Sequence, residues 1–366
     1  VNFDFSDDAK ALRDQARRML SEQAGPDAAR KAMDGDSPYD AALWQQVAEL
    51  GFTAARVPEA HGGVGLSPEE SCVLAEEFGR SLAPVPFVST LLATEAILAA
   101  GSSEQQAKYL PQIADGSVIA CLAWGEGANS PAATPAATLS GGKLTGVKSP
   151  VADALAASLA VVSVAGVDGP QLALVDLKSA GAAVDKVNTL DLVRKHGRIR
   201  FDGAAAETMG SSADYQKFLD RAAVILAFEA IGTTEAAMEM AVSYAKDRVA
   251  FGQRIGRYQG IKHKCADMYI KLELARAHAL YGCWAFAADA EELRHAAAAA
   301  RVSSLDAVKY TAEENVQLHG GIGFTWESNC QFYYRRARQL SAALGSRAFW
   351  ADRLVRALEQ RNRAAA

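Results

Sequence analysis

Two short stretches of this sequence carry residue types that could grip a nucleotide. The first is RVAFGQRIGRYQ, residues 248–259. Arg248 offers a permanent, planar fork of donors that matches a pyrophosphate. Gly252 and Gly256 permit a bend and a close backbone approach, and Gln259 is a neutral donor and acceptor. The second is QLHGGIGF, residues 317–324. Its Gly320, Gly321 and Gly323 expose backbone N–H groups, and Gln317 lies one helical turn earlier. Taken alone, each stretch reads most simply as a helix end and its turn. Such turns can also pass tightly around a nucleotide.

These stretches must be positioned by helices. The first third of the chain is helical in pattern. Ser6 can cap a helix whose apolar stripe is Leu12, Ala16, Met19 and Leu20. A second stripe, Leu43, Val47 and Leu50, stops at Gly51. Ser67, Pro68 and Glu70 form the signature of a capping box, and VSTLLATEAILAA gives another helix. From about residue 118 the pattern changes to short β-branched or alternating runs: VIACLAW, GKLTGV, LAVVSVA, QLALVDL, AAVDKV and RIRFDG. These read as antiparallel strands of a sandwich or barrel, ending at Gly210 and Ser211. Long helices follow. One spans GIKHKCADMYIKLELARAHALYGCWAFA, with Ile261, Cys265, Met268, Leu272 and Ala275 on one face. An Ala-rich one ends at QLHG and suits close packing in a bundle. The fold class is α+β, with helical residues 1–117, a β domain over 118–211 and a helical bundle over 212–366.

Bulk properties narrow the function. Half of the 366 residues are hydrophobic, 22% are charged and the net charge is −5. An acidic chain is a poor nucleic-acid binder. No apolar run approaches the roughly 20 residues that span a bilayer, and VNFDFSDDAK lacks a signal-peptide pattern. The scattered cysteines Cys72, Cys121, Cys265, Cys283 and Cys330 show no metal spacing and read as reduced core residues of a cytoplasmic protein.

In helix–sheet–helix order, the landmarks VPEAHGGVG, KYLPQIADGS, RVAFGQRIGRYQGIKHKCADM and QLHGGIGFTWE resemble the acyl-CoA dehydrogenase family of flavoproteins over nearly the whole length. The resemblance implies an N-terminal α domain, a middle β domain and a C-terminal four-helix bundle. It implies FAD, an acyl-CoA thioester substrate, a dimer or dimer of dimers, and an electron-transfer flavoprotein as acceptor. It also implies that Arg248, Phe251, Tyr258, Gln259, Gln317, Gly320 and Gly321 grip the adenosine diphosphate half of an FAD seated mainly in the neighbouring subunit. Asp220 matches a position that meets the CoA portion of the substrate. In this chemistry a carboxylate removes the proton α to the thioester carbonyl while hydride leaves the β carbon for the flavin. The base sits in an apolar pocket that raises its pKa.

The sequence departs from the family where that base belongs. In SAALGS (341–346), Leu344 stands where most members carry Glu, followed by Gly345 and Ser346. The alternative base position, early in the first bundle helix, is Ala222, and a neighbouring substrate-side Arg position is Ala223. In the middle domain, LAWGEGANSP and GVKSPVAD replace flavin-binding motifs, with Pro150 and Ala152 removing a backbone and a side-chain donor. The groups for the chain's own flavin are thus eroded, and those reaching into a partner's site are kept. The resemblance therefore points to the base-lacking subunit of a bacterial heteromeric, steroid-CoA type dehydrogenase. Two other readings stand beside it. Glu229 could be a relocated base in a homo-oligomer, although a bundle ion pair, with Arg248 or a Lys, is its simpler role. Otherwise the chain is an inactive CoA- or nucleotide-binding scaffold. His263 and His319 read as packing residues. Arg335, Arg336 and Arg338 read as a solvated or interface face.

Overall fold

The computed structural model describes residues 5–127 and 135–364. Six helices come first: α1 (Asp7–Gln23), α2 (Pro26–Asp34), α3 (Ala41–Glu49), α4 (Pro68–Ser81), α5 (Phe87–Ala100) and α6 (Ser103–Ala114). Ser6 caps α1 as expected, accepting the Ala9 N–H at 3.1 Å. At α4, Ser67 accepts the Glu69 N–H at 3.1 Å and gives its hydroxyl proton to Glu70. The carboxylate thus meets the serine side chain rather than its backbone. A full capping box occurs instead at α6, between Ser102 and Gln105. Leu50, expected on the buried stripe of α3, is exposed beyond its end.

The sheet holds β1 (Ala120–Ala123), β2 (Thr138–Ser140), β3 (Lys143–Ala152), β4 (Leu159–Gly166), β5 (Gly169–Asp176), β6 (Ala182–Val187), β7 (His196–Ala205) and β8 (Glu207–Met209). Its order is β6-β7-β3-β2-β4-β5-β8, with β1 also on β4. Most pairings are antiparallel, as the short strands and turns suggest. Two differ, because β1 and β2 both run parallel to β4. The run LAVVSV lies at the centre and is buried on both faces, which is why it is continuously apolar. By contrast, RIRFD in β7 alternates, with Ile199 and Phe201 inward and Arg198, Arg200 and Asp202 outward.

The remaining elements are α7 (Ser212–Asp247), a hairpin of β9 (Val249–Ala250) and β10 (Gln253–Arg254), α8 (Gln259–Ala287), α9 (Leu293–His319), α10 (Cys330–Ala342) and α11 (Arg347–Ala364). The chain divides into two compact units. One holds Val1–Arg30, Cys72–Ala83 and Ala223–Ala366; the other holds Lys31–Ser71 and Pro84–Ala222.

Within the first unit, α8 and α9 run antiparallel, with Lys264 paired to Glu314 and Tyr281 beside His295. There α4 and α7 touch backbone to backbone at two glycines. A Cβ at Gly232 would lie 1.9 Å from Glu76 O, and one at Gly79 would lie 2.2 Å from Glu229 O. Ion pairs then tie four helices together. Arg17 meets Glu77 at 2.6 Å, Arg80 meets Glu235 at 2.8 Å and Arg276 meets Glu76 at 2.7 Å. Within the second unit, the sheet core includes Cys121, Val162, Val175, Ile199 and Phe201. Among the described residues, no helix is long and apolar enough to cross a membrane.

Candidate functional site

The first unit brings the two glycine-bearing stretches together. The Tyr244 ring, near the end of α7, stacks on His319, the last residue of α9, with centroids 4.1 Å apart. Just beyond these residues the chain forms the β9–β10 hairpin and the Gly320–Phe324 turn. Ala241, Met268 and Leu318 join α7, α8 and α9 beneath them. The His319 imidazole has its pKa lowered by burial, against a bond between Nδ1 and Asn315 O. It is a neutral packing ring at pH 7.

The hairpin is built for presentation. Arg248 N donates to Tyr244 O and Ile255 N donates to Arg248 O, both at 2.8 Å, so its backbone is fixed while its side chain is exposed. Phe251 and Gly252 both have positive φ, 53° and 83°, as a two-residue turn between antiparallel strands requires. A phenylalanine there is strained, yet its side chain is 95% exposed. The Tyr258 hydroxyl donates to Phe251 O at 2.9 Å and Ala250 O at 3.2 Å. It therefore ties the hairpin tip to the start of α8. Gly256 serves the close approach read in its sequence, since a Cβ there would lie 2.8 Å from Ala245 O.

Gln259 and Gln317 are both exposed. Gly320 ends α9 at φ 63°, ψ −140°, a conformation open essentially to glycine alone. A Cβ at Gly321 would meet nothing within 4 Å. Sequence reasoning missed Gly260, in the first turn of α8, where a Cβ would also meet nothing within 4 Å. Its signal was a glycine at a helix start with no turn to make. The helix also begins without a side-chain cap; Ile261 N and Lys262 N donate to Tyr258 O, which leaves the N–H groups of Gln259 and Gly260 at its positive end. A cleft of about 700 Å³ runs along α7 as far as Asp247, lined also by Arg17, Arg80, Met240 and Tyr333.

The base positions look different. Leu344 is 5% exposed and has φ 55°. Its carbonyl accepts from Trp350 Nε1 at 2.9 Å. Arg301 Nη2 closes the end of α10 by donating to Leu340 O at 2.6 Å and Ala343 O at 2.7 Å. Burial lowers the Arg301 pKa to about 10, against the pull of Glu229. Glu229 is 0% exposed, with Arg336 Nη1 3.5 Å from its Oε1. Its ion-pair partner is therefore Arg336, rather than the Arg248 or Lys named from sequence. Arg336 is correspondingly buried within this unit, whereas the sequence placed it on a solvated or interface face.

In the second unit, Asp220 and Ala222 are buried. Pro150 sits at a register shift of the β3–β7 ladder, where a missing N–H breaks no regular pairing. Ala152 is half-buried. Ser149 N donates to Gly125 O at 2.8 Å, joining β3 to the segment after β1. The fully buried Lys148 bonds Glu126 at 2.5 Å and Ser163 at 2.8 Å beside that junction. Ala128 to Pro131 of LAWGEGANSP lie outside the described residues.

Residues 6–117 match the family model of the acyl-CoA dehydrogenase N-terminal domain, and residues 213–358 match that of its C-terminal domain. The chain belongs to the acyl-CoA dehydrogenase family. Members of this family are oxidoreductases acting on acyl-CoA and generally bind FAD. The chain is 33% identical over 341 residues to acyl-CoA dehydrogenase IpdE2 of Mycobacterium tuberculosis, covering 93% of this chain and 94% of that one. Among solved structures it is similar to a variant of the Tcur3481-Tcur3483 steroid ACAD, with TM-score 0.90, 31% identity and coverage of 98% and 99%. The ChsE4-ChsE5 complex from Mycobacterium tuberculosis matches with TM-score 0.90 at 24% identity, over 98% of this chain and 99% of that one. That second likeness shows the fold alone.

Proposed function

We propose that this chain is the base-lacking subunit of a hetero-oligomeric acyl-CoA dehydrogenase. Its clamp holds the adenosine diphosphate half of an FAD seated in a homologous, base-bearing partner, and the pair dehydrogenates a bulky, steroid-type CoA thioester at Cα–Cβ. One contrast within the first unit carries the reading. The clamp exposes Arg248, Phe251, Gln259 and Gln317, whereas the base positions offer buried hydrocarbon at Leu344 and an enclosed, paired carboxylate at Glu229. A carboxylate with no accessible surface cannot take a proton from a substrate carbon while the helices stay packed. The likeness to the Tcur3481-Tcur3483 steroid ACAD supports the substrate class and the two-subunit assembly.

The clamp residues fit FAD. Bound FAD would accept the hydride from the β carbon of the thioester. Arg248 would meet the pyrophosphate charge with its forked donors, and Gln259 and Gln317 would hydrogen-bond the adenosine side. Gly321 leaves its backbone open to close approach. Tyr258 acts one step back, by fixing the hairpin that carries Arg248 and Phe251. Removal of the α proton falls to the partner's carboxylate, and an electron-transfer flavoprotein would take the electrons onward. The free cysteines, four of them buried, suit the reducing cytoplasm in which this reading places the complex.

The test is purification of the chain alone and co-expressed with a base-bearing homologue. Flavin absorbance and turnover of CoA thioesters with an artificial electron acceptor are then measured. The chain alone should be colourless and inactive, and the pair yellow and active. A yellow, active homo-oligomer would overturn the proposal and return Glu229 to consideration. A chain that gains neither flavin nor turnover with any homologue would point to a scaffold.

A further inference from the structure

In the second unit a small cavity of about 130 Å³ lies between the end of α2 and the connection from β6 to β7. Its lining is mostly polar: Lys195 and Lys186 face Asp34, Asp36 and Asp191, and Met33 and Leu192 supply apolar contacts. Lys195 is half-buried. Among the described residues, its Nζ makes one hydrogen bond, a long one of 3.4 Å to Met33 O. We propose that Lys195 is a site of covalent acylation by acyl-CoA thioesters.

The chemistry needs a neutral amine, a reachable nitrogen and room for the acyl group. In the step, the Nζ lone pair adds to the thioester carbonyl carbon. The C–S bond breaks, the nitrogen loses a proton, and CoA leaves as its thiol. The product is an amide, and no oxidant or other co-reactant takes part. The acyl-CoA is the substrate class of the family. Burial lowers the Lys195 pKa, and Lys186 lowers it further, while Asp36, Asp191 and Asp34 partly oppose them. More of its amine is therefore neutral than at an ordinary surface lysine. Of the groups facing the cavity, His196 is held through Nδ1 to Arg194 O at 2.9 Å.

Comparison with other lysines gives the selectivity. Lys148 is also lowered, by burial, but has no exposed surface and is bonded to Glu126. Lys108 is well exposed but raised, chiefly by its hydrogen bond to Glu207. Lys195 combines a lowered pKa with access. An acetyl group is small enough for the cavity and would lie against Met33 and Leu192.

The probe is acetyl-CoA, incubated with the full chain in whichever assembly it purifies. Peptide mass spectrometry gives an acylation rate for each lysine. Lys195 should react roughly threefold or more faster than Lys186 and the exposed lysines, and lose that advantage in urea. Lys195→Arg should remove that site and leave the other rates unchanged. A Lys195 rate equal to the surface average, or an advantage that survives unfolding, would overturn the proposal. The readout requires neither flavin nor a partner, so it is independent of the hetero-oligomer reading.

Discussion

Gly320, Gly321 and Gly323 lie within one turn but are glycine for different reasons. Gly320 needs its backbone angles, and Gly323 needs its small size, because a Cβ there would lie 2.4 Å from Val316 O. Gly321 has neither constraint within this chain, and on the proposed reading its openness would serve the cofactor. Gly321→Ala should therefore leave the melting of the isolated chain within about 0.5 kcal/mol of wild type. The assembled complex should lose FAD on gel filtration. Gly323→Ala should instead destabilise the chain by about 1–3 kcal/mol through overpacking. Full flavin retention by the Gly321→Ala complex would remove this turn from the clamp. The glycines were legible in the sequence as a group, but their separate roles were not, because those depend on which carbonyl lies beneath each one. Glu229 shows the same limit. An ion pair was its simpler reading, yet the partner Arg336 comes from a distant helix and no local pattern names it.

At the level of elements, the sheet was legible wherever burial writes itself into the residue pattern. The apolar run of β4 and the alternation of β7 are examples. The parallel pairing of β1 and β2 with β4 was not legible, since strand direction is set by long-range register. Helix α6 was missed although Ser102 and Gln105 have capping-box spacing, because SSEQQ carries no apolar stripe before Tyr109 and Leu110. The pair of buried Lys148 with half-buried Glu126 ties β3 to the segment after β1. Burial alone would raise the Glu126 carboxyl. Lys148 and the N–H groups of Ala136 and Ala137 outweigh burial and hold it below its ordinary value. A depressed carboxyl contributes stability that is complete above its unfolded pKa and lost as pH falls through the folded one. Glu126→Gln should cost about 3 kcal/mol at neutral pH, because it strands a buried ammonium. It should also flatten the acid-side fall in stability below about pH 4. Glu126→Gln with Lys148→Met should recover most of the loss. Urea melts at several pH values test this, and a single mutant as stable as wild type would sink the idea that the pair ties these segments.

For the whole molecule, the residue to follow is Phe251. A left-handed phenylalanine costs about 1–2 kcal/mol, and an exposed ring gains nothing from the chain that carries it. The two-residue turn of the hairpin imposes that conformation, but it does not require a phenylalanine there. Ile322, Phe324 and Trp326, in and beyond the neighbouring turn, are likewise exposed. On the hetero-oligomer reading proposed above, these exposed apolar side chains and Arg248 would be covered by the partner subunit and its cofactor. Phe251→Gly separates the two demands on this residue. Glycine removes the backbone strain, while its greater freedom in the unfolded chain gives back about 0.5–1 kcal/mol. The isolated subunit should therefore melt at the same temperature or slightly higher, by up to about 1 kcal/mol of stability. The assembled enzyme should bind its partner and FAD more weakly, measured by sedimentation and by flavin content after dilution. A variant that loses stability alone would show that the ring belongs to this chain's own packing. A variant that assembles and holds flavin like wild type would show that the strain serves no interface. Loss of assembly without loss of stability is the outcome expected of a clamp that works on another molecule.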